Sequence, residues 1–199
     1  MKRKPLFLSL LLTLALCVGL AVPASAGGFG SVIHDGTQEG SLDQSGAGDG
    51  WSYDSATNTL TLNNFHGAYI CYANEFSQLP LTVVLQGSNT VTGSVTAPTE
   101  EGTLVSWTDM TIRGDGSLTV TGAINAMDLT LESGTVSVTG DRAYGGDAVQ
   151  VHGTLTVQNG SLTAVPALGD TTSGNLYYGI ACNDGFTLEG GTVRVTMPE

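Results

Sequence analysis

The fold is decided by a short segment that the chain repeats in four versions. The clearest version is Leu129-Thr130-Leu131-Glu132-Ser133-Gly134-Thr135-Val136-Ser137-Val138-Thr139-Gly140, in which two alternating stretches are separated by Gly134. The other three versions begin at Met110, Leu155 and Phe186 and have the same organisation. We interpret each version as a pair of β-strands.

The spacing of the apolar residues supports this interpretation. Leu129 and Leu131, and then Val136 and Val138, occupy every second position, with threonine or serine between them. Successive side chains of a strand point to opposite faces. One face of each stretch is therefore predicted to be buried and the other to face water.

The intervals between versions favour a solenoid. If weaker versions begin at Leu60 and Leu81, the equivalent positions are separated by 19 to 31 residues. A solenoid tolerates this variation, because insertions enter loops while each coil still stacks on its neighbour. The sequence therefore predicts an all-β fold, a parallel β-helix.

A third strand per coil is predicted six residues before the equivalent positions, around Leu104, Ala123, Val149 and Ile180. The longer loops then fall at one corner, and stacking is expected to bring the loops at 141–147 and 166–176 side by side. Residues 51–62, with a polar turn at 55–58, are predicted to form a hairpin that caps the first coil.

The N-terminal region resembles an export signal. Lys2, Arg3 and Lys4 precede a mostly apolar run at 6–22 and the small residues 24–26, which is typical of a secretory signal peptide. Residues 27–50 are rich in glycine, serine and acidic residues and are expected to be a flexible leader. We therefore divide the chain into a signal peptide (1–26), a leader (27–50) and a β-helix domain (51–199). The protein is expected to be secreted, either released or held at the cell surface.

The charge of the chain restricts its partners. The formal charge is −12, and loss of the three basic residues of the signal peptide would make it −15. Nucleic acid is excluded as a partner, because no basic surface can displace counterions from phosphates. We expect no membrane contact after signal cleavage, and a monomer.

Two cysteines remain after cleavage, Cys71 and Cys182. An even number in an exported protein suggests a disulfide. In the predicted stack, however, they lie about four coils apart, which is roughly 19 Å at the spacing of neighbouring strands. This separation is far too long for a disulfide, so we predict that they do not form one.

The two corner loops, with the second one extended to residue 178, contain the residues best suited to bind a carbohydrate. The candidates are Tyr144, Tyr177, Tyr178, Arg142 and Asn175. Aromatic rings can stack on the C–H faces of sugars, and amide or carboxylate groups can bind hydroxyl groups. Two alternatives remain open, that the tyrosines fill the gap beneath long loops and that Arg142 forms a surface ion pair with the aspartate beside it.

Acidic residues in the loops are candidate calcium ligands. Calcium needs several oxygen atoms at about 2.3 to 2.6 Å. The candidates are Asp141, Asp147 and Asp170 in the corner loops and Asp184 in a second acidic group with Asp109 and Asp128. The alternative is that these acidic turns only increase solubility.

No catalytic arrangement is evident in the sequence. With 18 acidic residues, a pair of carboxylates at the separation that glycoside hydrolysis needs would occur by chance. The three histidines are scattered, without zinc-site spacing or a Ser-His-Asp arrangement. We therefore predict a non-catalytic protein.

Several motifs carry a resemblance to a known family. The segments 50–54, 58–64 and 85–93, followed by the repeated strand pairs, resemble the exported carbohydrate-binding β-helix domains of clostridia. The resemblance covers nearly all of residues 50–199. It implies a right-handed parallel β-helix, three strands per coil, that binds plant or dietary polysaccharide with calcium in acidic loops.

The expected function is thus that of a secreted carbohydrate-binding module. An acidic polysaccharide would be repelled unless calcium bridges carboxylates, whereas a neutral glycan could bind through tyrosine stacking. Two alternatives are a calcium-dependent polysaccharide lyase or glycosidase on the same scaffold, and a structural surface or adhesion protein.

Overall fold

A computed structural model describes residues 30–73, 79–93, 103–169 and 177–198 of the chain. These residues form an all-β protein with one short 3₁₀ helix, at Arg142–Tyr144. None of them belongs to a helix that is long and apolar enough to cross a membrane. The predicted signal peptide lies outside these ranges and stays a prediction.

The described residues contain 21 strands, most of them three to five residues long. In chain order they are β1 (Val32–His34), β2 (Glu39–Ser41), β3 (Gly46–Gly48), β4 (Trp51–Asp54), β5 (Thr59–Asn63), β6 (His66–Gly67), β7 (Tyr69–Tyr72), β8 (Leu81–Gln86), β9 (Ser88–Val91), β10 (Leu104–Ser106), β11 (Met110–Gly114), β12 (Ser117–Thr121), β13 (Ile124–Ala126), β14 (Leu129–Leu131), β15 (Thr135–Thr139), β16 (Val149–Val151), β17 (Thr154–Val157), β18 (Ser161–Val165), β19 (Ile180–Cys182), β20 (Gly185–Leu188) and β21 (Thr192–Val195).

The strands form three sheets, and from β7 onward consecutive strands belong to successive sheets. Sheet A contains β7, β10, β13, β16 and β19, sheet B contains β8, β11, β14, β17 and β20, and sheet C contains β9, β12, β15, β18 and β21. We call each group of three consecutive strands a unit. Neighbouring units pair in parallel in all three sheets, so each unit stacks on the next.

The register of sheet B confirms most of the predicted equivalences. Leu81, Met110, Leu129, Leu155 and Phe186 are aligned, as the apolar spacing predicted. The position assigned to Leu60 was wrong by two residues, because that residue pairs with Val83 instead of Leu81. A shift of two residues keeps the same side chains on the buried face, so the pattern alone does not reveal it.

The strands of sheet A also lie where the sequence placed them, with one shift. Leu104, Val149 and Ile180 are aligned, but their partner in β13 is Ile124 and not the predicted Ala123. The reason is that one residue fewer connects β13 to β14 than connects β10 to β11.

The core lies between the three sheets. Leu104, Ile124, Met110, Leu129 and Leu118 are at most 2% exposed, and they belong to one continuous apolar cluster. Burial of one such side chain contributes about 1.5 to 3 kcal/mol. In the last described unit the equivalent side chains are less buried: Ile180 and Val193 are partly buried, and Phe186 is 47% exposed.

The predicted capping hairpin is confirmed, because β4 pairs antiparallel with β5 around the turn at 55–58. The prediction of a flexible leader was wrong for residues 30–50. β1 pairs with β7 and β2, and β3 pairs with β4. Ile33 and Leu42 are fully buried, so two apolar side chains anchor this segment to the core. Its backbone pairs with β7 and β4, which would otherwise be open edges of their sheets.

A carboxylate organises the turn between β1 and β2. Asp35 Oδ1 accepts hydrogen bonds from Gln38 N and Thr37 N, both at 2.9 Å, and from Thr37 Oγ1 at 2.7 Å. The bond from the Gln38 backbone, followed by those from Thr37, lowers the pKa of Asp35 from 3.8 to about 2.

The prediction that Cys71 and Cys182 are not joined in a disulfide is confirmed. They lie in β7 and β19 of sheet A, with three strands between them. Parallel pairing therefore separates them by several strand spacings.

Candidate functional site

The two corner loops lie side by side, as predicted, in the residues that the structure describes. Arg142 Nε donates to Leu168 O at 2.8 Å, and Arg142 Nη2 donates to Gly169 O at 3.2 Å. Tyr178 N donates to Asp147 Oδ1 at 2.6 Å. Gly146 has a φ of +84°, and a Cβ there would overlap the ring of Tyr177. Glycine at this position therefore lets the second loop pack directly on the first.

Tyr144 does not lie where a sugar-stacking ring was expected. Its side chain is 7% exposed, and the ring packs beside Gly93 and Gly122, where an added Cβ would be 3.1 Å from ring carbons. This position agrees with the alternative that a tyrosine fills the gap beneath the loop. The ring stabilises the corner and offers no free face to a ligand.

The other candidate binding residues have different environments. Tyr178 is 60% exposed, whereas Tyr177 is partly covered. Arg142 is exposed, and its guanidinium binds the backbone carbonyls of the neighbouring loop. Asn175 lies outside the described residues.

The candidate calcium ligands are not brought together in the part of the chain that is described. Asp141 Oδ1 accepts from Ala143 N at 3.0 Å and caps the 3₁₀ helix, while Asp184 lies in the turn between β19 and β20. Both carboxylate oxygens of Asp147 accept hydrogen bonds from the protein. No group of three or more His, Cys, Asp or Glu residues there could hold a metal ion. Asp170 lies outside the described ranges.

The second acidic group has a structural role in the turns between sheets A and B. Asp109 Oδ1 accepts from Asp128 N at 3.3 Å, and Asp128 Oδ1 accepts from Thr154 N at 2.6 Å. Each carboxylate thus binds a backbone N–H of the next unit. These contacts hold adjacent turns together.

A row of exposed side chains follows the strands of sheet A. Trp107 follows β10, Met127 follows β13, His152 follows β16 and Asn183 follows β19. Trp107 is 51% exposed and Met127 is 45% exposed. Because the four strands are neighbours in sheet A, the four side chains occupy equivalent positions in successive units.

This row borders two cavities that we together call the sheet A groove. The first cavity has a volume of about 180 Å³ and is lined by Ser106, Trp107, Asn125, Met127 and His152. The second has a volume of about 200 Å³ and is lined by Asp147, Gln150, Val151, His152, Ala181 and Asn183. His152 lines both cavities, so they adjoin at this side chain.

A chain of side-chain hydrogen bonds crosses the floor of the groove. Asn125 Nδ2 donates to Gln150 Oε1 at 3.3 Å, and Gln150 Nε2 donates to Asp147 Oδ2 at 3.0 Å. Asp147 also accepts from Tyr178 N, so this carboxylate connects the groove to the corner loops. The network holds the amide and carboxylate groups in fixed positions.

The groove combines the two properties that a sugar site needs. Trp107 offers a large aromatic surface, against which the C–H face of a sugar ring can pack. Gln150, Asp147, His152 and Asn183 supply donors and acceptors for hydroxyl groups. Asn125 is only 4% exposed, and its amide supports the side chain of Gln150 through a hydrogen bond. Among the described lining residues, none is arginine or lysine.

Sequence reasoning missed the groove, although a signal was present. Aligning the predicted third strands places Trp107, Met127, His152 and Asn183 immediately after equivalent strands. The corner loops drew attention because they are long, whereas these residues occupy short and regular turns.

The chain belongs to a family of carbohydrate-binding proteins. Residues 57–175 match the family model described as carbohydrate-binding domain-containing protein. The matched range includes Trp107, Met127 and His152, while Asn183 and Tyr178 lie beyond it. No curated protein and no solved structure matches the chain. The family indicates a carbohydrate as the partner of this protein.

Proposed function

We propose that the protein is a secreted, non-catalytic carbohydrate-binding module that recognises plant or dietary polysaccharide through the sheet A groove. The order of the strands in three parallel sheets supports a β-helix solenoid as its architecture. The apolar run at 6–22 supports secretion. We expect the protein to act as a monomer.

The observation that carries the proposal is the exposed ring of Trp107 beside a cavity lined by polar groups. An indole side chain is usually buried to a large extent, and a half-exposed one at a cavity suggests a contact surface. Stacking on this ring would bind the apolar face of a sugar, and the exposed His152 in the same cavity would bind hydroxyl groups of the sugar chain.

The proposal is tested by retention of the purified protein on plant polysaccharides and by titration of soluble fragments. Trp107→Ala is expected to weaken binding at least tenfold, which corresponds to about 1.4 kcal/mol. Phe186→Ala is the matched control, because Phe186 is an exposed aromatic residue that lines neither cavity. Unchanged binding by Trp107→Ala would refute the proposed site, and loss of binding by Tyr178→Ala alone would place the site on the corner loops.

Calcium assistance is a further part of the proposal, and it applies to acidic polysaccharides. The formal charge of −15 after signal cleavage supports it, because a uronic-acid polymer would be repelled without a bridging cation. The described carboxylates do not by themselves form a calcium site. Binding of pectate-like polymers should therefore disappear with a chelator, whereas chelator-resistant binding would refute calcium assistance.

The same samples test the non-catalytic assignment. Incubation with each retained polysaccharide should release neither reducing ends nor unsaturated ends. The incubations are made with calcium and with a chelator, and release of either product under either condition would establish a glycosidase or a lyase instead.

A further inference from the structure

The sheet A groove extends along the direction in which the units stack. Its border residues, from Trp107 to Asn183, belong to four successive units. Neighbouring strands are about 4.8 Å apart, so the row spans roughly 14 Å from its first to its last member. One step between units is close to the length of one sugar residue in an extended chain.

The floor of the groove follows the same direction. Asn125 in β13 and Gln150 in β16 are aligned partners in the sheet, and a hydrogen bond joins their side chains. The equivalent residue in β19 is Ala181, which lines the second cavity. The polar side chains of the floor thus belong to two neighbouring units, and the cavities continue past them to Ala181 in the next unit.

The charge of the groove favours a ligand without carboxylates. Asp147 lines the second cavity, and its two carboxylate oxygens are held by Gln150 and by the backbone of Tyr178. No arginine or lysine lies among the described residues that line either cavity. A uronic acid placed here would face a fixed negative charge without a positive partner.

We propose, on the basis of the proposed function, that the groove binds an internal segment of an extended neutral polysaccharide that lies across the strands. One sugar ring stacks on Trp107, the next ones pass Met127 and His152, and a later one reaches Asn183. Successive subsites therefore belong to successive units, and the ligand needs no free chain end.

The experiment measures affinity for neutral oligosaccharides of one to six residues, prepared from xylan, mannan and mixed-linkage glucan. The series that binds should gain about tenfold or more in affinity between one and three residues and reach a plateau by about four, because the groove is then filled. Chemical blocking of the reducing end should leave the affinity unchanged.

Two variants test the direction of the ligand. Trp107→Ala should weaken binding at every length, whereas Asn183→Ala should weaken only oligosaccharides of four or more residues. Asn159→Ala is the control, because Asn159 is an exposed asparagine in a turn between sheets B and C.

The outcomes separate this inference from the proposed function. If Trp107→Ala weakens binding but a single sugar binds as tightly as the hexamer, the groove holds one sugar, and the inference is overturned while the proposed site stands. If uronic-acid oligosaccharides bind more tightly than every neutral series, the inference that the ligand is a neutral polysaccharide is overturned. If Trp107→Ala has no effect at any length, the proposed site itself is wrong.

Discussion

Tyr144 and Trp107 should respond to substitution in opposite ways. Tyr144 is 7% exposed and packs beside Gly122, whereas Trp107 is 51% exposed at the groove. Tyr144→Ala should therefore lower stability and leave the affinity of the folded protein unchanged. Trp107→Ala should lower affinity and leave stability nearly unchanged.

The size of the stability effect follows from burial. Removing a buried aromatic ring costs about 3 to 5 kcal/mol, and a ring beneath a surface loop belongs at the lower end, at about 3 kcal/mol. For a chain of this size the corresponding decrease in Tm is roughly 6 to 12 °C. Tyr144→Phe keeps the ring and should cost only about 1 kcal/mol. Trp107→Ala should change the free energy of unfolding by less than about 1 kcal/mol, because its side chain is half exposed.

Urea unfolding followed by far-UV circular dichroism measures the free energy of unfolding for all three variants. Calorimetric titration with a retained polysaccharide fragment, at a temperature where each variant is folded, measures affinity. If Tyr144→Ala lost binding and kept the stability of the parent protein, the ring would be a ligand contact. The assignment of the site to the sheet A groove would then be refuted.

Two further predictions concern the framework. Gly122→Ala should lower the free energy of unfolding by more than about 2 kcal/mol, because φ at this position is +120° and a Cβ would overlap Thr103 Oγ1; a urea curve that superimposes on that of the parent would contradict this reading. Asp35 has a lower pKa in the folded chain, about 2, than its ordinary value of 3.8. Its contribution to stability should therefore be complete above about pH 4 and be lost as the pH falls towards 2. The difference in unfolding free energy between the parent and Asp35→Asn should shrink over this range, and a difference independent of pH would show that the carboxylate does not stabilise the turn.

The fold could be predicted from sequence to the extent that one face of each strand is buried. Alternating leucine and valine identified the strands of sheets B and C, because a strand with one buried face has an apolar residue at every second position. The pattern did not fix the register of Leu60, since a shift of two residues buries the same face. It also failed for β1 to β3, where pairing of backbone groups compensates for a low content of apolar residues.

The site was predictable only in part, for reasons of packing. Stacking of equivalent loops correctly indicated that Arg142 and Tyr178 belong to adjoining segments. Tyr144 is buried because its ring packs beside Gly93 and Gly122, which lie in other units. The sequence around Tyr144 alone does not reveal this packing. Trp107 and Asn183 are 76 positions apart in the chain but only three units apart in the sheet, so their common row becomes visible only when the units are aligned.

The placement of the groove on the outside of sheet A has a consequence for engineering. Backbone hydrogen bonds between neighbouring units hold positions of the row, since His152 N donates to Ala126 O and Asn183 N donates to Val151 O. The strands that precede these positions contribute buried side chains to the apolar interior. Trp107 and Asn183 lie three units apart and line different cavities. Free-energy changes from such separated substitutions should add. Specificity of this surface can therefore be redesigned one sugar position at a time, without rebuilding the scaffold.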